Sequence, residues 1–226
     1  GKFYFGQAEI NFYLEVKPTN DEDLFLNSNA LAVSDLTINL TSKVEQRFFQ
    51  GQKIRLEVAD LKLGWNTVSL KYFSPYQVNR TGLHNFTDAA DGEQYLYSQF
   101  EAFHCYRVFP SFDQPSLKAK MTLNCLAPAE WRVVSNGIDT RYESAHERGK
   151  RVLESQDCMW MLAFYDEGQA VCAYEFEQTP RISTYLYAVC AGPYATLEDY
   201  DPMYPPQRCY VRKSLQQNLR HELIFG

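Results

Sequence analysis

Apolar residues recur at every second position in one short stretch after another. Leu36, Ile38 and Leu40 follow this rule, as do Ile54, Leu56 and Val58, and then Val68 and Leu70. Successive side chains on a strand point to opposite faces, so period two predicts half-buried strands. Polar turn residues separate the stretches. Pro18-Thr19-Asn20-Asp21-Glu22-Asp23 is one such run, and Gln50-Gly51-Gln52 reads as a hairpin turn. Strands this short and this closely spaced predict an antiparallel, all-β fold. An aromatic content of 15%, led by Tyr and Phe, points the same way, because aromatic side chains suit a pleated, half-buried surface.

The rest of the chain continues the rhythm with interruptions. Phe3-Tyr4-Phe5 and Ile10 to Leu14 read as the first strands. Residues 75–93 are rich in Asn, Asp and Gly and predict an exposed loop. Trp131-Arg132-Val133-Val134, the stretch from Tyr142 onwards, residues 172–176, residues 183–189 and residues 207–211 predict further strands. Residues 200–206, rich in Pro and Tyr, form a connector. Residues 214–224 predict the start of a helix with Ser214 as its cap.

Several function classes are disfavoured. The net charge is −6 and the isoelectric point about 5.3, without the basic face of a nucleic-acid binder. No apolar run approaches the roughly 18 residues of a membrane span. The zincin pattern H-E-x-x-H is begun by His221-Glu222-Leu223-Ile224, but Phe225 stands where the second imidazole is needed. His84, His104 and His146 lie in separate segments without ligand spacing, so no metal site and no catalytic residue is expected in this chain. The six cysteines, Cys105, Cys125, Cys158, Cys172, Cys190 and Cys209, form no C-x-x-C pair. Cys125, Cys172 and Cys190 lie in apolar runs. They read as reduced core residues, which favours an intracellular setting, cytoplasmic or organellar. Sequons at Asn39, Asn79 and Asn85 point weakly towards secretion.

The most unusual stretch runs from Tyr95 to Pro110. If it is extended, Gln99 and Glu101 share a face, setting an amide beside a carboxylate. That pair suits a substrate ammonium; it also suits a solvated strand face.

At these residues the sequence resembles the aminopeptidase N and leukotriene hydrolase family of zinc metallopeptidases, the gluzincins. Tyr97-Ser98-Gln99-Phe100-Glu101-Ala102 carries the resemblance, followed by the run from Arg107-Val108-Phe109-Pro110 to Lys118-Ala119. Trp131 to Gly137, Phe176 to Leu186, Ala191-Gly192-Pro193-Tyr194 and Arg208 to Ser214 follow in the family's order. The resemblance implies a large antiparallel, saddle-like β-sandwich over residues 1–205. Residues 206–226 would form a junction leading into a catalytic domain that this chain lacks.

The resemblance further implies that Gln99 and Glu101 are substrate-binding, contacting the peptide's free amino group and first side chain. Arg107 and Asp113 match positions of structural character, bracketing the Phe109-Pro110 turn. Zinc, the G-A-M-E-N loop and H-E-x-x-H would all belong to the catalytic domain, so the chain alone is expected to be inactive and to hold no cofactor. The expected function is that of a capping domain, meeting a peptide amino terminus only together with the catalytic domain. The alternative is a non-catalytic scaffold or interaction domain that meets other protein domains or subunits in a larger assembly.

Overall fold

The computed structural model describes residues 2–20, 24–43, 49–139 and 170–225. The strand expected from Tyr142, together with His146 and Cys158, lies outside the described residues. Fifteen strands account for most of the described secondary structure, every strand-to-strand register is antiparallel, and the described helices are short, the longest being the six-residue 3-10 helix Lys213–Asn218, followed by the four-residue α-helical turn His221–Ile224. The all-β expectation holds. No described helix is long and apolar enough to cross a membrane. The residues divide into two compact units, 1–84 with 98–120 and 180–187, and 85–97 with 121–179 and 188–226.

The first unit is built on a sheet with the order β1-β7-β3-β4, formed by β1 (Phe3–Leu14), β7 (Gly64–Pro75), β3 (Ala32–Ile38) and β4 (Thr41–Ser42). β1 and β7 pair without a break from Phe3↔Pro75 to Leu14↔Gly64. β3 lies on the other side of β7, with a bulge between Ser34 and Thr37 where Asp35 takes a positive φ of 52°. A smaller sheet joins β2 (Phe25–Asn27), β6 (Lys53–Arg55) and β5 (Phe49–Gln50) in the order β2-β6-β5.

The alternating residues of these strands meet in one core of Leu26, Leu36, Ile38, Ile54, Leu56, Leu61, Val68 and Leu70. Ile10, Phe12 and Leu14 pack against it from β1. Each such side chain contributes roughly 1.5–3 kcal/mol on burial. Buried Asn66 is fully engaged: its Nδ2 donates to the Lys62 and Gly64 carbonyls, and its Oδ1 accepts from Lys62 N–H and Asn39 Nδ2. Asn39 also donates to the Asp60 carbonyl, so the first sequon's amide is part of the fold.

The second unit contains a sheet with the order β11-β13-β9-β8, in which β13 (Val189–Gly192) lies between β11 (Arg132–Ser135) and β9 (Gln94–Gln99), and β8 (Gly82–Thr87) completes it. Two further pairs are β10 (Asn124–Pro128) with β12 (Val171–Glu175), and β14 (Ala195–Asp199) with β15 (Gln207–Val211). Residues 206–226 therefore open with a strand paired along its whole length to β14.

Four local expectations are corrected. Residues 75–93 are not one loop, since they contain β8. The strand through Ile54 stops at Arg55, and Val58–Asp60 turn as a 3-10 helix. Leu40 leaves the β3 alternation with a positive φ and stands almost fully exposed. Residues 183–189 hold a 3-10 turn, Thr184–Leu186, before β13 begins.

Candidate functional site

β9 carries Gln99 as its last residue, and Glu101 lies just beyond it in a turn. The expectation of one continuous strand through both is thus corrected. Phe100 between them is 1% exposed and sets its ring at 90° to Phe109, 6.0 Å away. Burying that ring turns the chain, and His104 N–H closes the turn on the Phe100 carbonyl at 2.8 Å. Gln99, Glu101, Ala102 and Phe103 remain exposed. The two expected residues are nevertheless coupled, because Gln99 Oε1 accepts a 2.9 Å hydrogen bond from Glu101 N–H. The Glu101-Ala102 peptide bond is cis. The carboxylate of Glu101 has no ion pair among the described residues, and Arg107 faces elsewhere, donating to Thr81 Oγ1 at 3.2 Å.

The segment behind this turn is fixed by Asp113, which is 6% exposed. Its Oδ2 accepts from Tyr106 N–H at 3.0 Å and its Oδ1 from the Thr184 hydroxyl at 2.8 Å. Asp113 therefore ties the run after Glu101 to the 3-10 turn at Thr184–Leu186. Arg107 does not share in that tie. Cys105, in the next 3-10 turn (Cys105–Arg107), is buried, and desolvation, with the Asp113 carboxylate nearby, pushes its thiol up. All five described cysteines are free.

Sequence reasoning missed a carboxylate cluster in the second unit. Asp88 accepts from the Ser214 hydroxyl at 2.6 Å and from Arg212 at 3.0 Å, while Asp91 Oδ2 accepts from Ser214 N–H at 3.0 Å and from the Tyr95 hydroxyl at 2.9 Å. The Tyr95 oxygen in turn accepts from Lys213 N–H. Ser214 lies within the 3-10 helix Lys213–Asn218, whose N-cap is Arg212, so it does not cap the helix; it binds the turn between β8 and β9. The Ser214 hydroxyl and the Ala90 N–H hold the Asp88 carboxyl below the usual carboxylate range. The crowding of Asp, Glu and Asn in residues 85–93 was the available signal, and it reads equally well as a loop. Among the described residues no three His, Cys, Asp or Glu side chains stand together in a group that could hold a metal ion.

Residues 2–157 match the Peptidase M1 N-terminal domain. The aminopeptidase N of Streptomyces lividans is 32% identical over 204 residues, 89% of this chain and 20% of that protein. The aminopeptidase N of Acetobacter pasteurianus is 31% identical over 138 residues, covering 59% of this chain and 32% of its own length. Aminopeptidase 2 of Candida albicans is 26% identical over 192 residues, 83% of this chain and 18% of its own length. The chain belongs to the Peptidase M1 N-terminal domain family. It spans about a fifth of the length of the Streptomyces relative.

Proposed function

We propose that this domain caps the active site of a zinc aminopeptidase and receives the substrate's free amino terminus on Glu101. The observation that carries the reading is the coupling of two exposed residues across buried Phe100, with Gln99 Oε1 holding Glu101 N–H. That bond fixes the backbone from which the exposed Glu101 carboxylate is presented, and a charge-assisted hydrogen bond from it to an ammonium contributes about 1.5–3 kcal/mol. With its Oε1 engaged in the turn, Gln99 offers a substrate its Nε2 donor. That donor suits a carbonyl oxygen or the lining of the first side chain's pocket, and the ammonium is left to Glu101. In this reading the zinc and the attack on the peptide bond belong to another domain of a longer protein, since this chain matches about a fifth of the length of the Streptomyces aminopeptidase N.

The test is made in a protein that joins this domain to an M1 catalytic domain. Glu101→Ala is expected to lower kcat/KM on peptides with a free amine by roughly ten- to a hundredfold, following the energy above. Glu101→Gln keeps the shape and reads the charge alone. Thermal stability should be unchanged in both, because the side chain is exposed. Normal turnover by Glu101→Ala would reject the capping role and leave the domain a scaffold.

A further inference from the structure

From a small cavity beside Asp113, we infer that this chain has a binding site for an alkylammonium group, an ammonium carried on a short apolar stem. The cavity measures about 170 Å³ and lies within the first unit. Leu24, Phe25, Phe112 and Leu117 supply its apolar walls, and Asp113 is part of its polar lining. These walls are held in place by the fold. Asn27 and Ser111 exchange backbone hydrogen bonds of 2.8 and 3.0 Å, which pin β2 to the segment that leads into Asp113. Phe112 sets its ring edge-on to Phe12, 5.1 Å away. Gln114 N–H then bonds the Phe112 carbonyl, and Leu117 N–H bonds the Gln114 carbonyl, each at 2.9 Å.

The call for a cation comes from Asp113. A buried carboxylate normally has a charged partner. Asp113 is 6% exposed and has neutral partners, the Tyr106 N–H and the Thr184 hydroxyl. A carboxylate has about four acceptor positions, so two remain open. No ion pair reaches it among the described residues. Lys118 follows in the same segment, but its ammonium donates to the Pro115 carbonyl at 2.7 Å and to the Ser183 hydroxyl. The Phe25 wall already serves a cation, since Lys53 Nζ stands 4.0 Å from the centre of its ring.

Size and chemistry together define the ligand. Drug-sized ligands occupy about 300–1,000 Å³, so a cavity this small takes a group of side-chain dimensions. Its apolar walls suit a run of methylenes and its carboxylate suits the ammonium at the end, the same division that a lysine side chain makes. A free aliphatic amine and the lysyl side chain of a peptide share this chemistry. Glu101 plays no part in the site.

The experiment titrates the 226-residue chain and follows the Leu24 methyl resonances by NMR. n-Butylamine is expected to shift them saturably, and 1-butanol, with the same stem and no charge, to bind at least tenfold more weakly. Asp113→Asn is expected to weaken n-butylamine binding at least tenfold. Leu117→Trp sits at a position 47% exposed, leaves the Asp113 hydrogen bonds alone and narrows the cavity, and the same loss is expected. Circular dichroism checks that each variant is folded. Acetyl-Ala-Lys-Ala-amide, whose single ammonium is the lysyl side chain, separates the two sources: displacement of n-butylamine by it assigns the site to lysyl side chains, and failure to displace assigns it to free amines. The inference is overturned if n-butylamine gives no saturable shift, or if the amine and the alcohol bind alike. It is also overturned if Leu117→Trp leaves n-butylamine binding unchanged, whether or not Asp113→Asn folds.

Discussion

Thr184 donates its hydroxyl to the carboxylate of Asp113, 71 residues away in sequence, in a buried hydrogen bond of 2.8 Å. The same carboxylate holds Tyr106 N–H. Asp113→Ala leaves both donors without a partner in a buried site and is expected to cost on the order of 3 kcal/mol. Asp113→Asn keeps one acceptor oxygen and should cost about half as much. Urea unfolding of the two variants against the parent measures both, and an undisturbed midpoint for Asp113→Ala would remove Asp113 from the frame of the fold.

Acid should weaken the second unit through Asp88 and Asp91. Burial raises the Asp91 carboxyl, but donation from Glu93 N–H, the Tyr95 hydroxyl and Ser214 N–H outweighs it, so both carboxyls titrate below their ordinary range. A depressed folded-state value stabilises fully above the unfolded value, about 3.9, and that stabilisation is lost as pH falls through the folded value. The unfolding midpoint should therefore drop below about pH 4. Asp88→Asn is expected to be less stable at neutral pH and to show a shallower acid slope. In Ser214→Ala the carboxyl carbon of Asp88, followed by NMR, should titrate closer to the ordinary aspartate value.

Gly137 has no room for a side chain. A Cβ there would stand 2.5 Å from the backbone carbonyl oxygen of Glu177, a residue whose N–H donates to the Ile138 carbonyl. The backbone must move to admit Gly137→Ala, which is expected to cost about 1–3 kcal/mol, the usual range for overpacking. Calorimetric melting of this variant should shift down, whereas Gly51→Ala meets nothing within 4 Å and answers only to its positive φ of 62°.

Cys105 should resist alkylation in the folded protein. It is fully buried, and desolvation raises its thiol well above the ordinary value, which starves it of the reactive thiolate. Iodoacetamide at pH 8 followed by peptide mass mapping is expected to leave Cys105 unmodified until denaturant is added. Labelling of Cys105 at the rate of an exposed thiol would mean that the core around it opens.

The alternation of Leu36 with Ile38 and of Val68 with Leu70 was enough to place β3 and β7, because period two survives wherever one face of a sheet is buried. The hairpin at Gln50-Gly51-Gln52 was equally legible, since Gly51 supplies the positive φ that the turn uses. Where the chain changes direction for a non-local reason, the pattern misleads. Val58 keeps the parity of Ile54 yet lies in a 3-10 turn, and Gly82 and Asn85 look like loop residues although β8 runs through them. Gln99 and Glu101 were legible as a pair, but buried Phe100 bends the chain between them. No periodicity encodes that the Gln99 side chain bonds the next turn. Ser214 carried a capping signal that its actual partner, Asp88, overrode from far along the chain.

The unbroken ladder between β1 and β7 has a consequence for how the protein is made. Its two strands are separated in the chain by all of β2 to β6, so no local hairpin can nucleate them, and topologies dominated by such distant pairings fold slowly. During synthesis β1 leaves the ribosome before β7 and waits for it. Until then its apolar residues, Tyr4, Ile10, Phe12 and Leu14 among them, have no partner to lie against. The nascent chain is thus most exposed to misassembly and to chaperone capture in that interval, and the arrival of β7 ends it.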